Sequence, residues 1–396
     1  MIKKSREQLA WVASIILFVM CMPYFAWKGI LMTLNPLILL VLTIICFLER
    51  RRLRSKDIFP LLVFTAALLV YTIASDHNLV FFVTYASIIL LPFLKNDFSK
   101  SLFEKFLLIF TITTALGLVF WFLAIIGLVS PIGSIEPINF LKKYYYLVYP
   151  FFITSTEDPL ARFEGLYDEP GVMGTLCGLF LIIRGLDFKD WKSIALLLGG
   201  CFSLSFFFYV VLIVYFGVKY FFNKNNIKRV SIFAVCISVL IYLIFTNPYL
   251  YKNIGYRFEW NKTESRFEGD NRINIDVVSF YWQGMDTRQI LMGINNKDAY
   301  KDSVQGSSSI YNVIILYGIL FVILYFVFFI LYSIRNSDSR LKAILSVLVI
   351  FGSLYQRPGV MDLPYVFLFC LISNSKMIDT LAEKRFAKKG AEPLNK

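Results

Sequence analysis

Residues 193–222 read SIALLLGGCFSLSFFFYVVLIVYFGVKYFF, thirty residues with one charge, Lys219, and a Ser203-Leu204-Ser205 interruption near the middle. One bilayer crossing takes about 20 apolar residues, so the stretch is too long for one comfortable span and too short for two generous ones. Its reading fixes the side of everything downstream. Lys189 and Lys192 precede it, and Lys219, Lys224, Lys228 and Arg229 close and follow it. Because Lys and Arg collect on the cytoplasmic side, a hairpin turning back at Ser203-Leu204-Ser205 is favoured over a single crossing. Short membrane helices tend to line cavities, since freed backbone groups must find partners away from lipid. Ser203, Ser205 and Tyr209 are therefore expected to face a site.

Similar runs recur along all 396 residues, of which 58% are hydrophobic and 17% charged, with a mean hydropathy of +0.65. Soluble domains carry about 25% charged residues, so nearly the whole chain must be solvated by lipid. About twelve spans are expected, at roughly 9–27, 30–48, 58–75, 78–94, 102–128, 170–185, 193–204, 206–222, 230–247, 309–333, 341–354 and 363–374. The first follows a basic start (Lys3, Lys4, Arg6) without a small-residue cleavage site and is expected to stay uncleaved. The net charge of +13 suggests nucleic acid only until it is mapped. Basic residues fall between the runs, at 50–56, 95–105, 184–192, 219–229 and 335–342, and in the tail with Lys384, Arg385, Lys388 and Lys389. That placement reports topology, with both termini cytoplasmic and no nucleic-acid partner. The expected fold is an all-α integral membrane protein, one polytopic domain over 1–396, with two long extracytoplasmic loops at 129–169 and 248–308. Loops of that length are more often functional than accidental.

The first loop ends in Arg162-Phe163-Glu164-Gly165-Leu166-Tyr167-Asp168-Glu169-Pro170-Gly171, directly before a span. Pro170 suits a first helical turn, which gathers Arg162, Asp168 and Glu169 at a positively poled helix end at the membrane surface. The bland reading is that the two acids only cap the helix. In the second loop Arg266-Phe267-Glu268-Gly269 repeats the tetrapeptide of 162–165, a match too short to imply duplication. Asn271 to Gln283 reads as an amphipathic surface helix, with Ile273, Val277, Phe280 and Tyr281 on one face, Arg272, Asp276, Ser279 and Gln283 on the other, and Gly284 as its stop. Arg272 and Arg266 otherwise belong to a solvated polar face. Arg357, in Gln356-Arg357-Pro358-Gly359 between the last two spans, runs against the charge bias and either binds a ligand or snorkels.

There is no GxxxxGK[ST] loop, no HExxH and no Asp-x-Asp pair, so ATP hydrolysis, zinc proteolysis and metal-dependent nucleotide-sugar transfer are disfavoured. The six cysteines lie in or beside apolar runs with no CxxC spacing, which argues against a disulfide framework or a metal cluster. No cofactor and no metal are expected. The single histidine, His77, falls in a short turn and reads as polar filler.

From about 160 to 333 the chain resembles the bacterial O-antigen and capsular repeat-unit polymerases, and more distantly the O-antigen ligases. The features that match are Arg162 to Gly174 with its Glu169-Pro170-Gly171 core, the Ser203-Leu204-Ser205 short spans with Tyr209, Arg272 ahead of Ile290-Leu291-Met292-Gly293, and Ser307-Ser308-Ser309 before Tyr317-Gly318. The ligases use a histidine in the large external loop, which this chain lacks. An Arg-x10-Gly pattern of some polymerases is missed by one residue at Arg162 and is not met at Arg266 or Arg272. The resemblance implies a metal-independent glycosyltransferase of the bacterial plasma (inner) membrane. It would act on oligosaccharide units carried by undecaprenyl pyrophosphate, beside membrane lipid and a chain-length regulator protein. Within it Arg162, Arg266 and Arg272 would hold the pyrophosphate with Arg357 as a fourth cation, Glu169 would be the base with Asp168 second, and Tyr209 would contact substrate. A ligase or other lipid-linked glycan transferase, and a flippase of lipid-linked oligosaccharide, are the competing readings.

Overall fold

The helices carry large apolar side chains outward as well as inward, with Leu37, Phe47, Leu62, Leu69, Ile73, Val119, Ile126 and Ile323 all exposed, while Ser14, Ser87, Thr111 and Thr114 are buried. Water would penalise such a surface and lipid would not. The computed structural model describes residues 2–24, 30–74, 79–136, 145–156, 159–221, 231, 235, 238–239, 242–253, 255–262, 266–267, 275–294, 297, 300, 303, 310–356 and 360–374. Among the described residues three helices are long and apolar enough to cross a membrane, Ser55–Ala74, Asn96–Ile125 and Ile319–Asn336, and several shorter apolar helices accompany them. The chain is a helical, membrane-embedded protein.

The first half runs α1 Ile2–Cys21, α2 Ile30–Leu48, α3 Ser55–Ala74, α4 Leu79–Leu90 with a 3-10 turn at Leu91–Phe93, and α5 Asn96–Ile125. Helix α1 starts seven residues before the expected span and packs along α5, where the Ser14 hydroxyl donates to the carbonyls of Ala10 (2.6 Å) and Leu102 (3.0 Å). The loop at 129–169 has regular structure among its described residues. It forms a three-stranded antiparallel sheet, β1 Gly133–Ile135, β2 Tyr146–Tyr149 and β3 Phe152–Ser155, in which Tyr146 sits opposite both Ile135 and Ser155.

Next come α6 Pro170–Arg184, α7 Trp191–Phe202 and α8 Phe206–Phe221. Helices α7 and α8 fold back on each other as the expected hairpin, turning at Ser203–Ser205 with Leu204 at φ 48°. Gly174 lies against Ser203 and Ser205, and Gly178 against Phe208 and Val211, so α6 and α8 descend side by side from the turn. A Cβ at Gly174 or Gly200 would enter the space of Ser205 or Phe208, which explains the small residues on these contact faces. Of the span expected at 230–247, the described residues 231, 235, 238–239 and 242–246 are helical.

The loop at 248–308 holds short pieces, α9 Pro248–Asn253, a 3-10 turn at Gly255–Phe258, the β4 Trp260–Asn261 and β5 Arg266–Phe267 pair, α10 Ile275–Gly284 and α11 Thr287–Met292. Of the amphipathic helix expected from Asn271, residues 271–274 lie outside the described residues, and the described part, α10, ends at Gly284 as expected. Val277 and Tyr281 pack with Tyr300, Ile294 and Ile315, whereas Phe280 points away and is 73% exposed. The chain ends in α12 Ile310–Tyr317, α13 Ile319–Asn336, α14 Arg340–Gln356 and α15 Leu363–Ile372.

The span expected at 309–333 is therefore broken at Gly318. Its cause is tertiary. The Ile294 N–H donates to the Ile315 carbonyl (2.9 Å), and the backbone of Leu291 and Met292 lies where a Gly318 side chain would be, just as Leu316 and Tyr317 fill that place at Gly293. Both glycines have positive φ, 86° and 88°, a region that costs other residues about 1–3 kcal/mol. The two segments Ile290–Gly293 and Tyr317-Gly318, distinct in sequence, are thus one backbone contact.

The bundle has two chemically different ends. At one, the end of α2 meets the start of α5 through the Lys95 N–H to Glu49 carbonyl bond (2.9 Å), Glu49 pairs with Arg6 (3.1 Å) and Lys95 (3.3 Å), and Arg184 of α6 pairs with Asp190 and Glu104. This is the basic end. The opposite end carries the sheet, the start of α6, the α7–α8 turn and the start of α15. Gly318→Ala is expected to lower the thermal midpoint of the purified protein and reduce its level in membranes several-fold, while Gly133→Ala, where nothing lies within 4 Å, leaves both unchanged.

Candidate functional site

The first turn of α6 organises the end opposite the basic one. Pro170 starts the helix, and Glu169 at its N-cap is extended (φ −151°, ψ 139°) and makes no side-chain cap bond. The bland expectation that the acids merely cap this helix is not met at Glu169, whose carboxylate leaves the first-turn N–H groups to other partners. Asp168 is held by its backbone, with the Tyr146 hydroxyl of β2 donating to its carbonyl (2.7 Å). The segment before it is anchored on three sides. The Phe163 N–H donates to the Phe202 carbonyl at the end of α7 (2.9 Å), the Ile153 N–H of β3 to the Gly165 carbonyl (2.8 Å), and the buried Phe163 ring meets Gly117 and Trp121 of α5. Gly165, at φ 60°, makes the bend. Arg162, Asp168 and Glu169, all half-buried, are thereby fixed within one rigid turn.

A fourth residue joins them that the sequence reading missed. Asp362 is the N-cap of α15, with Pro364 in the first turn and no side-chain cap bond. Helix α15 packs beside α6, which brings Asp362 within electrostatic reach of Asp168. Asp362 itself is exposed at the surface of the protein. Its carboxyl is pushed above the ordinary value of 3.8, first by burial among protein atoms and second by the charge of Asp168. Two signals could have found it. Asp362-Leu363-Pro364 repeats the acid-before-proline pattern of Glu169-Pro170, and Asp362 is the only acid between Asp338 and Asp379.

Other expected site residues fall elsewhere. Tyr209 braces the hairpin, its hydroxyl donating to the Cys201 carbonyl (2.9 Å), and the Ser203 hydroxyl donates to the Gly200 carbonyl (2.6 Å). The last turn of α7 ends in apolar surroundings, so its carbonyls claim the nearest hydroxyls. Both hydroxyls, expected to face a site, thus have local carbonyl partners within the hairpin. Ser205 differs, since its hydroxyl is buried beside Gly174 with no partner among the described residues. Arg266 sits on β5 opposite Asn261, and its side chain lies outside the described residues. Arg272, Arg357, His77 and the Ser307–Ser309 run also lie outside them. No group of three or more metal-ligating side chains occurs among the described residues.

No family model, curated protein or solved structure matches this chain. Chemically, the starts of α6 and α15 bring together carboxylates, Asp168 and Glu169 on one and Asp362 on the other, a set suited to accepting a proton, and Arg162 in the segment before α6 is the cation nearest to Asp168 and Glu169 in the chain. Asp168→Asn removes a neighbouring negative charge and is expected to lower the Asp362 pKa, read by isotope-edited infrared titration of its carboxyl band. The sign for stability follows. A carboxyl raised in the folded state binds its proton more tightly there, so its contribution is lost as pH rises from 3.8 through the folded value. The Asn variant shows a shallower loss over that window.

Proposed function

We propose that this protein is a polysaccharide repeat-unit polymerase of the bacterial plasma membrane, with about twelve spans and both termini in the cytoplasm. It transfers a growing glycan from undecaprenyl pyrophosphate to the next lipid-linked unit at the outer face. The observation that carries the reading is the pairing of Asp168-Glu169 and Asp362 at the starts of two packed helices, α6 and α15, with Arg162 in the segment that leads into α6. An oxygen of the acceptor sugar attacks the anomeric carbon of the donor, the bond from that carbon to the pyrophosphate oxygen breaks, and the acceptor proton passes to a carboxylate. Pyrophosphate leaves with its lipid. Since it is already a good leaving group, the site needs cations more than a strong acid, and arginine supplies a planar fork worth about 1.5–3 kcal/mol per charge-assisted bond. Arg162 fills that role from the first loop, and Arg266, Arg272 and Arg357 are the further cations that the sequence offers. Asp362 takes the proton, because a raised pKa brings a carboxylate closer to the basicity a general base needs near neutrality. Asp168 sustains that shift, and Glu169, which the sequence alone favours as the base, positions the acceptor.

A second reading, transport of a lipid-linked oligosaccharide, is favoured by one observation. Helix α15 is short and wholly buried, with a polar cleft at its C-terminal end. Deletion separates the readings, because loss of polymerisation leaves the single-unit product on the surface and loss of transport removes both. In the deleted host, Asp362→Asn and Arg162→Ala are expected to abolish long chains at unchanged membrane level, the former by about 10²-fold or more in rate. Glu169→Gln is expected to shorten chains without abolishing them. Normal chain length from both Asp362→Asn and Arg162→Ala would rule out this site.

A further inference from the structure

The basic end contains a cleft of about 260 Å³ that enters the bundle between the α2–α3 link and the last turn of α13. Four cations line it, Arg51, Arg54, Lys56 and Arg335. Arg51 is balanced by Asp57, which takes both of its terminal nitrogens (2.5 and 3.1 Å) and also the Arg54 N–H (2.9 Å). Lys56 lies close enough to Asp57 to share its charge, whereas Arg54 and Arg335 form no ion pair among the described residues. Nη1 of Arg335 is buried without any hydrogen-bond partner there. A buried, unmatched guanidinium nitrogen is costly, and such groups are retained where something else completes them.

The cleft is deep and amphipathic. Its floor is formed by Phe367, Cys370 and Leu371 of α15, so it reaches past the end of that helix to its middle. Three of the four carbonyls that would repel an anion at this helix C-terminus are engaged. Ile372 accepts from the Ser346 hydroxyl (2.8 Å), Phe369 from the Ser373 N–H (2.9 Å) and Leu371 from the Asn374 N–H (3.0 Å). What remains is a positive recess with low-dielectric walls, which focuses the field of its cations. Its volume is slightly below the usual range for small-molecule pockets, about 300–1,000 Å³, and suits a headgroup rather than a saccharide chain.

We infer that this cleft is a second binding site, for a phosphate-bearing anion, at the end of the bundle opposite the carboxylates. The chemistry is shared by the phosphate of an anionic lipid headgroup, reached laterally from the cytoplasmic leaflet, and by free phosphate from solution. The inference does not rest on the polymerase reading. Clusters of basic residues at the cytoplasmic ends of membrane helices are known to hold acidic headgroups.

Two measurements on the purified full chain distinguish the sources. The first is native mass spectrometry of protein released from nanodiscs of phosphatidylglycerol mixed with phosphatidylcholine, counting retained lipid. The second is titration of delipidated protein in neutral detergent with inorganic phosphate, followed by thermal midpoint. Retention of phosphatidylglycerol that falls roughly tenfold in both Arg335→Gln and the Arg54→Gln/Lys56→Gln double variant, but not in the exposed Lys189→Gln control, assigns the site to a lipid headgroup. Saturable stabilisation by phosphate that is lost in the same two variants assigns it to free phosphate. The double variant alters exposed side chains, so it stays informative if Arg335→Gln fails to fold. Equal retention of the two lipids together with no response to phosphate, or a response unchanged in the double variant, would overturn the inference.

Discussion

Helix α15 is the constraint around which the rest is arranged. All ten of its residues are buried, and at 1.5 Å per residue it is about 15 Å long, half the thickness of a bilayer core of about 30 Å. Both its ends must therefore be satisfied inside the protein, where neither lipid nor bulk water can pair with orphan N–H and C=O groups. At the C-terminal end Ser346, Ser373 and Asn374 meet this need, and Ser333 bonds Ser373 (2.9 Å) to tie α13 to the same point. At the N-terminal end Pro364 removes one donor and Asp362 stands at the positive pole.

The two ends of α15 thus acquire opposite chemistry for one reason. A helix dipole favours negative charge at its start and positive charge at its end, and the protein places Asp362 with Asp168 at the first and Arg51, Arg54, Lys56 and Arg335 around the second. Neighbouring elements reinforce both. Helix α6 begins beside α15 and adds Glu169, while the sheet and the Phe163 segment keep that turn rigid. At the other end the Tyr332 hydroxyl donates to the Pro92 carbonyl (2.7 Å) and fixes the 3-10 turn that walls the cleft.

Most helices were legible because lipid imposes a simple rule on sequence, and flanking charge was enough to read the α7–α8 hairpin. Features that depend on a distant partner were not legible. Gly318 inside an apolar run reads as a tolerated glycine, and only the backbone of Leu291–Gly293 explains why the helix breaks there. Ser203 and Tyr209 look like site residues because polar groups in a membrane helix are costly, yet the carbonyls of Gly200 and Cys201 account for them. Asp362 escaped notice because the topology rule weighs Lys and Arg and is silent about acids. The same rule drew attention to Arg357 in that very turn. Asp168 and Glu169 were legible, since a proline at a helix start marks its N-terminus locally.

The account stands on Asp362 facing water at the outer face of the membrane. With the six native cysteines replaced, Asp362→Cys should react in intact cells with a small, charged, membrane-impermeant thiol reagent, and at least as fast when Asp168→Asn removes the adjacent negative charge. A cysteine at this position that stays unmodified until the membrane is opened, or that reacts only from the cytoplasmic side, would contradict it.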